Sequence, residues 1–375
     1  MGRSIGVDLH RDCFTTAILA ENGRCYKREW RLSDLDKFVS TLMPFDKVAV
    51  EMTTNVRLFH DAVWPHVERV DVVNTRQFKI VTESVKKTDK NDAETLARYL
   101  DKDMLPTVHL KEKRLAQIAS LTRARDTLVK QRTTLKNKVN NQFAAAGIKL
   151  ERERMSSNKA LYEVEREAEE IFDAIEALEA KVFLHQIRSI NESVAELEAA
   201  IKTEGGKLKG YRELTSIKGV GPISATILLT TIGDVKRFPD EGRLAAYLGI
   251  VPRVSDSNQT ERRGRITKLG SKLARTALVQ CGLIAKRYSP FLGEYHERMK
   301  RKKGGGKANI ALARKLLGII YRTLRNEWEF EDFPSFRLKG GIIPLWSEAG
   351  ARKYVASRRD LSPSAKSGKK KDGRP

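Results

Sequence analysis

The chain has 375 residues, a formal net charge of +23 and 40% hydrophobic residues, which allows two or three domains with real cores. A chain this basic meets nucleic acid, where Lys and Arg displace counterions from phosphates, or else an anionic membrane surface. No apolar run approaches the roughly 20 residues of a transmembrane helix, residues 1–8 are no signal peptide, and Cys13, Cys25 and Cys281 lack disulfide or zinc spacing, which fits a reducing cytoplasm.

Residues 3–9 read as a short buried strand ending in an acid, Asp8, and residues 13–20 as a second strand. Asn22-Gly23 is a turn signal, and residues 25–30 make the third strand of an antiparallel meander. Ser33 is expected to cap a helix through about Met43. Residues 47–51 form a fourth strand, again ending in an acid, Glu51. A helix from about Val56 to Val67 follows, with Pro65 able to end it early, and then a fifth strand over residues 70–74. The closing helix starts at Thr88 or Asp89 and carries Asp89 and Asp92, whose spacing puts both on one face.

Two stacked carboxylates repel unless a cation lies between them, and Mg²⁺ is held by one or two carboxylates plus substrate phosphates. The plainer reading is that both acids favour the helix dipole. The element order, three strands, helix, strand, helix, strand, helix, is the ribonuclease H-like arrangement. In it strands one and four are neighbours, so Asp8, Glu51, Asp89 and Asp92 converge at one end of the sheet. A buried strand end seldom carries an unpartnered acid, because a lone charge there is costly, and metal binding by these four is the expectation.

Residues 109–206 change character and read as an α-helical coiled coil or helical hairpin. The first half is crowded with Lys and Arg, and Arg123 and Arg132 mark a basic helix that offers a nucleic-acid surface or simply a solvated face. Gly147 is expected to end it. The second half carries a heptad-like stripe, Ile171, Ile175, Leu178, Val182, Ile187, Ile190, Val194, Leu197 and Ile201, broken once near Leu184. The stripe is buried either in a hairpin or between two protomers. Gly205-Gly206 breaks the coil.

Residues 207–335 read as a mainly α-helical domain. Residues 214–225 have the pattern of a helix-hairpin-helix, in which Gly219 and Gly221 permit the turn and the second helix, from Pro222, aims free N–H groups at a backbone phosphate near Lys218. The plainer alternative is a structural helical turn. A helix is expected over residues 238–248, then a polar basic loop over 249–268 holding Ser255, Ser257, Arg262, Arg263 and Arg265. Three helices follow, from about Ser271, Pro290 and Ala308. Gly304-Gly305-Gly306-Lys307 lacks the spacing of a nucleotide-binding loop. Residues 336–375 are a C-terminal tail expected to be partly disordered, with its end, Ser362 to Pro375, Lys/Ser/Gly-rich.

These motifs together are specific. Ile5-Gly6-Val7-Asp8, Val50-Glu51, residues 86–93 (Lys-Lys-Thr-Asp-Lys-Asn-Asp-Ala), Gly219-Val220-Gly221-Pro222, residues 244–249, Pro252-Arg253-Val254-Ser255-Asp256-Ser257 and Arg263-Gly264-Arg265 resemble the DEDD transposases of the insertion-sequence-110 family. The similarity reaches to about Arg325. It implies an N-terminal ribonuclease H-like (Holliday-resolvase-like) domain over 1–108, a coiled coil, and a transposase domain with a nucleophilic serine. It further implies Asp8, Glu51, Asp89 and Asp92 as a Mg²⁺-binding tetrad and Ser257 as the nucleophile. Asn258 stands where family members often have glycine, so Ser255 competes with it.

A serine hydroxyl is a poor nucleophile at its free pKa, and metal ions beside the scissile phosphate relieve this by taking charge from its oxygens. A phosphoserine link conserves the phosphodiester energy, so strands exchange without ATP. The resemblance also implies donor and target DNA, an element-encoded bridge RNA as guide, and a homodimer or homotetramer in which acids and serine come from different protomers. It places the protein at the nucleoid of a bacterial or archaeal cell. Two other readings belong to different classes: a metal-dependent junction-resolving nuclease using water, and a non-catalytic nucleic-acid-binding protein.

Overall fold

The fold is described from a computed structural model over residues 2–20, 22–74, 78, 88–257 and 260–329, without the side chains of 152, 254–257 and 260–263. The C-terminal tail and the Lys86-Lys87 pair lie outside the described residues. The chain divides into two units, Met1–Glu112 and Lys113–Pro375.

The first unit is organised around β1 (Ser4–Leu9), all six residues of which are buried. A strand covered on both faces reads as a continuous run of small and branched residues, as Ser-Ile-Gly-Val-Asp-Leu does. The sheet has the order β3-β2-β1-β4-β5. β2 (Cys13–Leu19) and β3 (Cys25–Arg31) form an antiparallel meander with β1, whereas β4 (Lys47–Glu51) and β5 (Arg69–Val73) run parallel to it. One face carries Phe14, Trp30, Phe38 and Phe59, the last two from α1 (Leu35–Val39) and α2 (Val56–Val63). Phe14 meets Phe38 and Phe59 edge-on, with centroids 5.4 and 5.5 Å apart.

The opposite face is covered by α3 (Asp89–Asp101), through Ala93, Leu96, Ala97 and Leu100. Gly6 sets how closely α3 lies on β1. A Cβ there would fall 2.0 Å from the Ala93 carbonyl oxygen and 2.5 Å from the Ala97 nitrogen. Only glycine, opposed by two alanines, admits this approach.

Two local expectations are corrected. Ser33 does not cap a helix: residues 32–34 form a 3₁₀ turn and α1 ends at Val39. The Thr41 hydroxyl donates to the Phe38 carbonyl at 2.7 Å, and Pro44 disfavours helical geometry just before it. Pro65 does end α2 early, in a 3₁₀ turn over Trp64–His66.

In the second unit, α4 (Lys113–Ala145) and α6 (Ala174–Gly206) lie antiparallel. Their register is read from Arg114 with Glu204, Arg125 with Glu198, Arg132 with Asn191, and Gln142 with the Glu176 carbonyl. α5 (Asn158–Ile171) folds against the far end, where Val139, Phe143, Leu161, Val164, Leu184 and Ile187 make a core. The apolar stripe divides. Ile187, Val194 and Ile201 are buried, whereas Ile171, Ile175, Leu178 and Val182 are exposed at 42%, 80%, 61% and 50%. Around Leu184 the buried face shifts, and Ala180 and Leu184 take the inner position. Nor do Gly205 and Gly206 break the helix. α6 runs through both, because Gly205 gives room to Thr226, whose hydroxyl oxygen would lie 2.0 Å from a Cβ.

α7 (Tyr211–Ser216) and α8 (Pro222–Ile232) are joined by a turn in which Gly219 has φ +104°. α8 is buried from Ala225 to Ile232, its Thr226, Thr230 and Thr231 hydroxyls donating to carbonyls of the same helix, as suits the central helix of a bundle. α9 spans Glu241–Tyr247 and starts later than the sequence pattern predicts, because Asp240 caps it through the Arg243 N–H at 2.8 Å. The polar stretch expected as a loop forms an antiparallel hairpin, β6 (Pro252–Ser257) and β7 (Thr260–Ile266). Its strands are polar in sequence, so hydrophobic alternation does not reveal it. α10 (Lys272–Ala285), α11 (Pro290–Lys303) and α12 (Gly305–Asn326) complete the unit, with Leu278, Cys281, Leu312, Leu316 and Ile320 in the core around α8. No described helix is long and apolar enough to cross a membrane.

Candidate active site

The acids expected at one end of the first sheet are brought there by three elements. Asp8 is the fifth residue of β1 and only 4% exposed. Glu51 ends β4, one step beyond the parallel Val7–Val50 pair, which brings it to the same end of the sheet as Asp8. Asp89 and Asp92 occupy the first turn of α3, whose start is fixed by the Thr88 side chain accepting from the Asn91 N–H. Asp92 is buried and Asp89 exposed. Because Gly6 lets α3 lie directly on β1, the first turn of the helix arrives beside Asp8.

His10 was not singled out by sequence reasoning. Its Nε2 lies 3.2 Å from Asp8 Oδ2 and 3.3 Å from Asp89 Oδ2. Two bonds hold the His10 turn: its backbone N–H donates to the Cys13 carbonyl at 2.9 Å, and its carbonyl accepts from Asn55 Nδ2 at 2.8 Å. The second ties the turn after β1 to the loop after β4. The available cue was its position two residues past a strand-end acid, which in sequence looks only like a turn.

The electrostatics ask for a cation. Burial pushes the Asp8 carboxyl above its ordinary range, His10 opposes this, and the charges of Asp89 and Asp92 add to it. Ligand atoms of Asp8, His10 and Asp89 all lie within 4.8 Å of one another. A divalent ion fits this donor set: carboxylate oxygens suit hard cations, and an imidazole is accepted by several transition metals.

The second unit holds the other expected residues. In the β6–β7 hairpin Ser255 pairs with Arg262 and Ser257 with Thr260, and the register slips between Pro252 and Val254. The side chains of Ser255, Ser257, Arg262 and Arg263 lie outside the described ones. Arg265 is exposed. Lys218 is exposed at the turn before α8, with its Nζ 6.0 Å from the Tyr288 ring, and Gly221 caps α8 without a side-chain bond, leaving first-turn N–H groups unclaimed by a capping side chain. At Gly219 a Cβ would meet the Ala285 backbone at 2.6 Å, so the turn is pressed onto α10. Arg123 is exposed on α4, whereas Arg132 is half-buried and donates to Asn191 across the hairpin at 2.9 Å.

Comparison with known proteins agrees with both halves. A family model described as "Transposase", for DEDD transposases of the IS110 type, matches residues 5–146, and one described as "Transposase IS116/IS110/IS902 family" matches residues 211–297. A probable family 20 transposase of Pseudomonas aeruginosa is 26% identical over 64% of this chain and 73% of its own. The transposase for insertion sequence element IS1111A of Coxiella burnetii is 23% identical over 86% of this chain and 90% of its own. A pilin gene-inverting protein of Moraxella lacunata is 28% identical over 73% of this chain and 78% of its own. With a family model matched in each half of the chain, the chain belongs to the IS110 family of DEDD transposases and is a DNA transposase.

Proposed function

We propose that this transposase cuts and rejoins DNA through a covalent phosphoserine link at Ser257, with Asp8, Glu51, Asp89 and Asp92 holding Mg²⁺, under the guidance of a bridge RNA from its element. The observation that carries the reading is the approach of Asp8 and Asp89 to within reach of one ion, around a carboxyl that burial and like charge already disfavour as a bare anion. When bound, Mg²⁺ neutralises phosphate oxygens and the attacking and leaving oxygens. The sheet order, with the meander on one side of β1 and parallel strands on the other, supports a ribonuclease H-like reading of the first unit.

In the cleavage step the Ser257 Oγ–P bond forms as a bridging P–O bond of DNA breaks, and the freed DNA hydroxyl takes up a proton as the serine gives one up. Rejoining reverses this, with a DNA hydroxyl attacking the link and serine leaving. A relative named for inverting a gene is consistent with cutting that loses no phosphodiester energy. Arg262, Arg263 and Arg265 hold phosphates along the hairpin. The α7–α8 turn acts as a helix-hairpin-helix, with Lys218 and the backbone at Gly219 and Gly221 clasping a phosphate without reading sequence. Arg123 and Arg132 lie on the basic helix that extends the nucleic-acid surface.

The protein works as a homodimer or a homotetramer. The exposed half of the apolar stripe, Ile171 at the end of α5 and Ile175, Leu178 and Val182 on α6, supports pairing of two copies through these helices.

The test is trapping of the adduct. Incubation of Ser257→Ala, Ser255→Ala and the parent with labelled element-end DNA and Mg²⁺, followed by denaturing electrophoresis, should give a protein–DNA adduct with the parent and Ser255→Ala only. Loss in Ser255→Ala alone moves the nucleophile to Ser255. Cleavage without any adduct makes the enzyme a water-using nuclease. Sequencing of RNA co-purified with the parent tests the guide, and absence of element-derived RNA refutes it.

A further inference from the structure

A cleft of about 1050 Å³ opens in the second unit between α11, α12 and the base of β7. Its rim is cationic: Lys302 and Lys303 at the end of α11, Lys307, Arg314 and Lys315 on α12, and Arg265 on β7. Among the described residues no carboxylate pairs with Lys302, Lys303, Lys307 or Arg314, and the one acid lining the cleft, Glu241, is held by Arg322 at 3.2 Å. The α11–α12 turn makes this density possible. Gly304 has φ +79°, and a Cβ at Gly304, Gly305 or Gly306 would meet nothing within 4 Å, so the backbone is open to a ligand beside the lysines.

Its floor is of another kind. Phe291, Tyr295 and Met299, at helical spacing on α11, line it together with Ile310 and Ile319 of α12. Lys315 Nζ lies 5.4 Å from the Phe291 ring, and the Arg298 guanidinium 5.7 Å from that of Tyr295. Phosphates suit the rim, but a duplex keeps its base faces stacked on each other and has nothing to offer an aromatic and thioether floor. An unpaired strand offers both phosphates and bare base faces.

We infer that this cleft binds an unpaired DNA strand, with phosphates along Lys302, Lys303 and Lys307 and a base on Tyr295. DNA is the commitment because the wall of the cleft continues into the β6–β7 hairpin of a DNA transposase. The inference does not depend on which serine reacts.

The test uses the full-length protein with a mixed-sequence single strand carrying 5-iododeoxyuridine, the same strand annealed to its complement, and the matching RNA with 5-iodouridine. Irradiation followed by peptide mass spectrometry should place adducts at Tyr295, Phe291 or Met299 with the single DNA strand and not with the duplex. In fluorescence anisotropy Tyr295→Ala should weaken single-strand binding roughly ten-fold, leaving duplex binding within about two-fold, and Tyr295→Phe should bind as the parent does. The Lys302→Gln, Lys303→Gln, Lys307→Gln triple variant should lower the salt slope for single strands by about 2, as expected for three lost phosphate contacts. Thermal melting of each variant checks that it is folded, and the surface triple variant keeps the test open if Tyr295→Ala is not. Adducts confined to the duplex, adducts absent from residues 290–319, equal loss for both DNA forms, or stronger crosslinking of RNA at Tyr295 would each overturn the proposal.

Discussion

Substituting alanine for Gly6 tests how the acidic site is assembled. The new Cβ would sit 2.0 Å from the Ala93 oxygen, so α3 must retreat by about 1.4 Å to reach an ordinary contact of 3.4 Å. The obstacle is helix backbone, which no side-chain rotation relieves. Overpacking of this kind costs about 1–3 kcal/mol, and because one face of the unit rests on α3, about 2 kcal/mol is the expected loss. The functional loss should be larger than the stability loss suggests. Asp89 and Asp92 ride on the first turn of the same helix, and a displacement of about 1 Å in a catalytic arrangement is able to cost roughly 100-fold. Denaturant unfolding gives the stability change, and calorimetric titration with Mg²⁺ or Mn²⁺ gives the affinity. Gly6→Ala should remain folded at 20 °C, bind the ion at least ten-fold more weakly and lose strand cleavage. A variant with native metal affinity and cleavage would show that α3 does not position the site.

Three further outcomes follow from the geometry. Asp8→Asn should raise the melting temperature of the metal-free protein at pH 8 and abolish added stabilisation by Mg²⁺. Its sign follows from linkage: a carboxyl raised by burial costs the folded chain stability as pH rises from the ordinary carboxylate value through the raised one, and a lower melting temperature would contradict this. Arg188, nearly buried, bonds Glu165 at 2.5 Å and lies over the Tyr162 ring at 4.1 Å, so Glu165→Ala should cost about 3 kcal/mol in denaturant unfolding by leaving a buried cation unpaired, and a loss under 1 kcal/mol would refute the account. Ile175→Asp with Leu178→Asp should leave melting of the chain nearly unchanged, since both are exposed, but should halve the mass seen by light scattering; an unchanged mass would put the protomer contact elsewhere.

Much of the first unit is legible in sequence because its strands differ in composition from its helices. The run Ser4–Leu9, the Asn22-Gly23 signal and the Thr88 cap each report their own geometry locally. Asp8 stands out in sequence because an acid at a buried strand end is costly without a partner, and Glu51, Asp89 and Asp92 stand out as candidates beside it by their places in the same elements. His10 was missed because its contact with Asp89 is tertiary, and its place two residues past Asp8 looks in sequence only like a turn. The β6–β7 hairpin was missed because polar strands held by backbone pairing have no hydrophobic period. The start of α1 was misplaced because Ser is favoured at many turns as well as caps, and here a 3₁₀ turn takes the position.

The helix α4 holds eight Lys and Arg against one Asp, whereas residues 158–206 hold twelve acids against five bases. Cross-strand pairs such as Arg125 with Glu198 satisfy part of both helices, and the remainder leaves a basic side and an acidic side on one hairpin. Ile175, Leu178 and Val182 are flanked by Glu176 and Glu179 in sequence. Phosphate is repelled from that neighbourhood, which favours a second copy of the chain over DNA as its cover. A second copy of the same hairpin presents the same exposed leucine and isoleucine. Isologous pairing there would bury the stripe and leave the basic side of each α4 open to nucleic acid. Low salt should strengthen DNA binding and leave the dimer nearly as it is, because burial of apolar surface is insensitive to screening. Dimer dissociation that tracked DNA release as salt is raised would show that the two contacts share one surface, and would exclude this arrangement.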